Sequence, residues 1–384
     1  MAFVAIGWQV YAVRGNPLDL GLVGLAEFLP LPLLALPAGH LADRVPRRRL
    51  LLVMLVLNLV VLSGLLAVTA AGATRVWPFF VLAFLQGVGS AIGAPAGRSL
   101  TPSLVPEEIL VSALAQRSIA FQGSAVIGPA IGGILFAIRP ELVYIVAMLL
   151  ALVALGCVVA MRSGRLPVSG GSASFGEVLA GVRLIRRTNV LLGAISLDLF
   201  AVLLGGAVAL LPVFAKDILE VGPTGLGFLR AAPAVGSLLC AGFIARYPIQ
   251  RQAGPKLFVV VAGFGVCMIV FGLSRTMWLS MLALALGSAF DTVSVVLRST
   301  ILPLVTPDEL RGRVTAVEMV FISASNELGA FESGVAAALI GAVPAVVVGG
   351  ILTIVVAGAW WKLFPSLAGV DRLDELRPVS VSPS

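Results

Sequence analysis

Seven ionisable residues interrupt stretches in which charge is otherwise rare: Glu27, Asp198, Arg230, Asp291, Glu318, Glu327 and Glu332. A charge midway through a bilayer costs about 2.5–3.5 kcal/mol on insertion scales, so each should face a partner, a cavity or protein interior rather than lipid. Glu327 and Glu332 are five residues apart, which on a helix is about 140° of rotation. They do not share one narrow face, and at least one is expected to contact a neighbouring bundle. No nucleophile–base pair or metal-binding constellation accompanies these charges, so no enzyme is expected. The sole histidine, His40, has no partner motif, and Cys157, Cys240 and Cys267 lie singly in apolar runs, which argues against a disulfide frame or a metal cluster. A Gly-x-x-x-x-Gly-Lys nucleotide loop is also missing, so neither direct ATP use nor a cofactor is expected.

The elements that must position these charges follow from composition. The chain has 384 residues, 59% of them hydrophobic and 12% charged, with a mean hydropathy of +1.08. Uncharged runs recur at 50–74, 76–97, 118–138, 142–161, 257–274 and 333–361. Most are long enough for the roughly 20 residues of a spanning helix. Strand alternation is absent, so the class expected is an all-α polytopic membrane protein. Spans are expected at 1–13, 20–42, 50–73, 77–98, 111–138, 142–161, 190–214, 224–245, 257–274, 277–299, 313–341 and 345–364. The first is short: 13 residues of helix reach about 20 Å against a hydrocarbon core of about 30 Å. It is expected to be truncated, through a missed upstream start or because the chain is a fragment; a short helix that thins the bilayer is the alternative. A basic leader and a small-residue cleavage site are both missing, so it does not read as a signal peptide.

Basic residues outnumber acidic ones, 26 to 19, but they sit in short loops, which favours membrane topology over nucleic-acid binding. With the arginine-rich 43–49 loop in the cytoplasm, twenty Lys and Arg fall inside or at the inner ends of spans, five fall outside (Arg14, Arg75, Arg139, Lys216, Arg275), and Arg230 alone lies well within a span. That asymmetry supports the helix count and puts both termini in the cytoplasm. The protein is accordingly expected in the cell (inner or plasma) membrane.

The halves repeat. Gly24, Pro30 and Gly39 fall 203 positions before Gly227, Pro233 and Gly242, and Ser124, Gly128 and Gly133 fall 201 before Ser325, Gly329 and Gly334. An even number of spans per copy orients both copies alike, giving two parallel six-helix bundles. The expected domains are an N-terminal bundle at 1–161, a cytoplasmic linker with an amphipathic interfacial helix at 162–189, a C-terminal bundle at 190–364 and a tail at 365–384. Glu27 and Arg230 coincide under the 203 offset, so opposite charges stand at equivalent depth in the two copies. They either join a network between the halves or pair locally within each.

The stretch GHLADRVPRRR (39–49) gathers Asp43, Arg44 and Arg47 to Arg49. A cytoplasmic loop attracts arginine on its own, but an acid at the end of a helix opposes the dipole and needs compensation. This pattern resembles the loop between the second and third helices of the major facilitator superfamily, and the resemblance extends from WQVY (8–11) to FPSLAGVDRL (364–373). It implies that Gly39, Asp43, Arg44 and Arg48 form a cytoplasmic gate. In the second half GFIARYPIQRQ keeps Gly242 and Arg251 but has Arg246 in place of the acid. AFLQGVGSA carries Gln86, Gly87 and Gly89 of a fourth-helix pattern, with Ala83 where an arginine linked to proton coupling stands in other members. GSAVIGPAIGG carries the antiporter pattern at Gly128, Pro129, Gly132 and Gly133, for which close helix packing with a proline bend is the plainer reading.

By the same resemblance, Asp198 and Asp291 lie on cavity-lining helices and are candidates for proton or cation contact; pairing with Arg98, Arg298 or backbone donors is the alternative. PLDLGLVGLAEFLP, TPDELRGRVTAVE and SNELGAFESG resemble the bacterial branch that includes the enterobactin exporter. The implied function is secondary active export of small amphipathic molecules, siderophore-like or drug-like, by a monomer using proton antiport and alternating access. An importer of the same fold, or a non-transporting sensor or assembly protein, is the alternative. Single cysteines introduced at 45–49 are expected to react with membrane-impermeant reagents only from the cytoplasmic side. Labelling from outside would overturn the orientation.

Overall fold

The computed structural model describes residues 1–34, 37, 45–161, 175–373 and 376–378. Gly39, Asp43 and Arg44 of the expected gate lie outside the described residues, as does the side chain of Arg98. The first six helices are α1 (Ala2–Arg14), α2 (Pro17–Phe28), α3 (Arg47–Ala70), α4 (Trp77–Leu104), α5 (Glu107–Ile138) and α6 (Pro140–Ala160). After them come α7 (Phe175–Arg187), α8 (Asn189–Leu204), α9 (Gly222–Arg246), α10 (Ala253–Leu273), α11 (Met277–Val305), α12 (Asp308–Ile340) and α13 (Ala342–Leu363). Nine stretches among the described residues are long and apolar enough to cross a membrane. Helix α1 is not among them because it has only 13 residues, and α12 is diluted by charged and polar side chains along its length.

Local chemistry sets the helix ends. Asn16 caps α2 by accepting the Leu18 N–H at 3.0 Å, Pro17 occupies the first turn, where a missing N–H costs nothing, and Asp19 sits at the positive end of the dipole. Gly15 ends α1 in the left-handed conformation at φ 64°, with its N–H on the Tyr11 carbonyl.

The chain forms two compact units, Met1–Ser172 with Leu211–Ala231, and Ala173–Leu210 with Ala232–Ser384. These units do not coincide with the two sequence halves, since a stretch of the second half packs into the first unit. There, α3 packs on α4 and α6, and α2 packs on α4. A buried polar triad ties three helices of this unit: Gln9 on α1 donates to Thr69 on α3 at 2.9 Å, and Tyr144 on α6 donates to the Gln9 oxygen at 2.7 Å. Helix α5 meets the start of α9 backbone to backbone, because Gly133 and Gly227 face each other. A Cβ on Gly133 would lie 2.6 Å from the Pro223 carbonyl, and one on Gly227 would lie 2.6 Å from that of Pro129.

In the second unit α10 packs on α11 and α13, the same relation as α3 to α4 and α6 one repeat earlier. The span expected at 190–214 runs as one apolar stretch from Asn189 to Ile218, but its helix is interrupted. Helix α8 ends at Gly205, and the chain continues through a 3-10 turn (Ala207–Leu210) to a π-helical turn (Phe214–Ile218). Two adjacent glycines weaken the helix, and a side chain at Gly206 would strike the Gly329 carbonyl of α12 at 2.6 Å.

The tail folds back over the start of α10. The Gln252 N–H donates to the Asp371 carboxylate at 2.8 Å. Ala253 and Gly254 donate to the carbonyls of Asp371 and Val370 at 3.2 and 2.8 Å. Leu367 and Val370 are buried beneath it. The orphan amides of that helix start are thus satisfied by the chain's own end.

Tyr144→Phe leaves the Gln9 oxygen with Thr69 alone. It is expected to lower stability by about 1 kcal/mol, read as a reduced midpoint in thermal unfolding of the detergent-solubilised protein; an unchanged midpoint would remove the triad from the account of the fold.

Candidate functional site

The densest set of buried charges among the described residues lies in the second unit, around Arg298. This guanidinium, on α11, reaches Asp198 of α8 at 2.7 Å and Glu318 of α12 at 3.9 Å. The side chains are 3%, 7% and 15% exposed respectively. Asp291 stands seven residues before Arg298, two turns away on the same face of α11, within electrostatic reach of both Arg298 and Asp198. Leu197, Leu297, Ile301, Val314 and Val317 form the apolar wall close by.

One guanidinium therefore faces three carboxylates. Burial strips water from all four groups, so their mutual distances decide which charges are compensated. Asp198 holds the short contact and Glu318 a longer one, while Asp291 makes no ion pair within 4 Å among the described residues. The Arg298 Nε–H has no hydrogen-bond partner there. A cluster with surplus acid and an incompletely used guanidinium can take up a proton or a cation without being rebuilt.

Of the residues singled out in sequence, Asp198 and Asp291 come together here. Arg298, counted with the cytoplasmic cations, was also expected as an alternative partner of these aspartates, and its ion pair with Asp198 follows that alternative; Glu318 stood only among the intramembrane charges. The structure buries Arg298 between them, and its seven-residue spacing from Asp291 was the available signal. Glu327 is half-buried on α12 and faces no charge among the described residues. Glu332 is exposed.

The first unit holds a second charge pair. Glu27 of α2 acts electrostatically on Arg230, which belongs to the Leu211–Ala231 stretch of this unit. The two are thus neighbours, and neither is paired only within its own sequence half. Gln86 is half-buried on α4. The adjacent Gly87 lets α4 touch α2 at the Glu27 carbonyl, a place where any Cβ would collide. Gly128, Pro129, Gly132 and Gly133 lie together on α5, and the last makes the crossing with Gly227. Arg48 donates through Nε to the Val158 carbonyl at 3.0 Å and through Nη2 to that of Val159. It thereby caps the negative end of α6.

Arg298→Gln leaves buried carboxylates uncompensated and is expected to destabilise the protein by about 3–5 kcal/mol. Pairing it with Asp198→Asn should recover a large part of that loss in a double-mutant cycle of thermal midpoints. Additive losses would show that the two groups do not interact.

Residues 1–376 match the model of a family described as transmembrane secretion effectors. The chain is 27% identical over 353 residues to the multidrug efflux pump Tap of Mycolicibacterium fortuitum, covering 87% of this chain and 84% of that protein. It is 26% identical over 347 residues to the enterobactin exporter EntS of Shigella boydii serotype 18, covering 88% and 77%. Among solved structures, a nucleoside transporter, NupG, superposes with a TM-score of 0.74 at 12% identity, covering 94% of this chain and 95% of that one. A D-xylose–proton symporter superposes at 0.67 with 12% identity, covering 95% and 96%. Family and relatives are transporters rather than enzymes. The repeated helical packing, the buried charges and the match along nearly the whole chain make this multi-pass membrane protein a member of the transmembrane secretion effector family within the major facilitator superfamily.

Proposed function

We propose that the chain is a proton-coupled exporter of small amphipathic organic molecules in the inner membrane, with both termini in the cytoplasm and the Arg298 cluster as its coupling site. The observation that carries this reading is the single guanidinium among three carboxylates in a buried setting. Asp198 stays with Arg298 throughout the cycle. Asp291, which lacks an ion pair within 4 Å, holds the exchangeable proton, and Glu318 supplies the second contact to which the guanidinium can lean as that proton leaves. Export, rather than uptake, is favoured by the likeness to Tap and EntS, and a siderophore-like or drug-like solute is the substrate class those relatives suggest. Gly39, Asp43, Arg44 and Arg48 serve as the cytoplasmic gate, and the bundles of 1–161 and 190–364 rock about a central path. Glu27, Arg230, Gln86 and Glu327 line or brace that path in this scheme.

The test is flux in proteoliposomes under an imposed pH gradient, with enterobactin and the dye ethidium as probes. Movement of at least one probe should follow the gradient. In Asp291→Asn the gradient dependence should vanish while solute exchange at uniform pH persists. Flux of both probes that ignores the gradient would remove the antiport scheme. Accumulation of solute inside cells that carry the gene, relative to cells that lack it, would reverse the direction and make the protein an importer.

A further inference from the structure

The cationic face of α7 is not used by any step above. Arg183, Arg186 and Arg187 are exposed and spaced i, i+3 and i+4, so they project from one side of the helix. On its other side Leu184 and Ile185 are buried in the core of the second unit, and Gly181 lies close against the Arg313 carbonyl of α12. The helix is therefore clamped in place, and rotation cannot turn its arginines inward. None of the three arginines forms a hydrogen bond or ion pair among the described residues. Thr188 alone separates α7 from the apolar span that starts at Asn189, so the arginines stand beside the end of a stretch long and apolar enough to cross a membrane.

We propose that this face is a binding surface for anionic phospholipid headgroups. Three guanidiniums on a helix held in place, without a protein partner among the described residues and beside the end of a membrane span, match a phosphate-bearing surface in charge and position. Guanidinium and phosphate also match in hydrogen-bond geometry. Juxtamembrane arginines gain attraction to acidic lipid that falls away within a Debye length, which these residues satisfy by position. Clamping by Leu184, Ile185 and Gly181 means that little side-chain or helix ordering remains to oppose the contact.

The experiment uses the full-length protein in nanodiscs of phosphatidylcholine containing spin-labelled phosphatidylglycerol or spin-labelled phosphatidylcholine, and reads the motionally restricted lipid fraction. The wild type should prefer phosphatidylglycerol by roughly threefold or more, a preference that weakens as salt is raised. Arg183→Gln, Arg186→Gln and Arg187→Gln combined should abolish most of that preference. The corresponding triple lysine variant should keep most of it, and Arg139→Gln, which removes an exposed charge elsewhere, should leave it unchanged. If the glutamine triple does not fold, the lysine triple and the salt series still decide the matter. Equal restriction of both lipids by the wild type, or a preference insensitive to salt, would overturn the proposal, as would an undiminished preference in a folded glutamine triple.

Discussion

The cost of holding charge away from water governs this molecule. A chain with so few ionisable residues buries one deeply inside its helices at a cost that another residue must answer, and the Arg298 cluster is where the answer is least even. Asp198 is matched closely, Glu318 loosely and Asp291 by proximity alone. That gradation arises because α8 and α12 bring Asp198 and Glu318 to different distances from one guanidinium, while Asp291 stands two turns away on the guanidinium's own helix. The apolar wall around them makes each distance count. A fully balanced cluster would be a structural brace and nothing more; an uneven one can change its state when a proton or a solute arrives.

The helical scaffold was legible in the sequence to the extent that the bilayer dictates it. Apolar runs of spanning length leave few options, and Asn16, Pro17 and Gly15 announce their helix ends by chemistry that does not depend on the rest of the fold. The break after α8 was less legible. Glycines are common in membrane helices, and only the approach of Gly206 to the Gly329 carbonyl reveals what the pair is for. The cluster was half legible. Its acids stood out one by one against the hydropathy of their surroundings, but Arg298 lies where a cytoplasmic cation would also lie, and its burial depends on helices α8 and α12 that are far away in sequence. The assignment of Leu211–Ala231 to the first unit could not be read from any local pattern, since it is made by contacts far apart in the chain: Tyr11 donates to Asp217, Lys216 lies over the Tyr11 ring, and Gly133 faces Gly227.

The repeat shows itself more clearly in packing than in residues. Helix α10 relates to α11 and α13 as α3 does to α4 and α6, although few side chains at matching positions agree. Small residues at crossings are retained because a larger one would push two backbones apart. Charges have diverged: Glu27 and Arg230 occupy matching positions with opposite sign and now attract one another.

A terminal copy of a duplicated bundle has something an internal copy lacks, namely chain beyond its last helix that is free to fold back. The loop that precedes α10 has Arg246 where the matching loop has Asp43, and Asp371 and Val370 from the tail accept the amides at the start of that helix. Such a contact is open to the second copy and not to the first, because the residues that follow the first copy are committed to joining the next bundle. Asymmetry between the two matching loops is then an outcome of chain order.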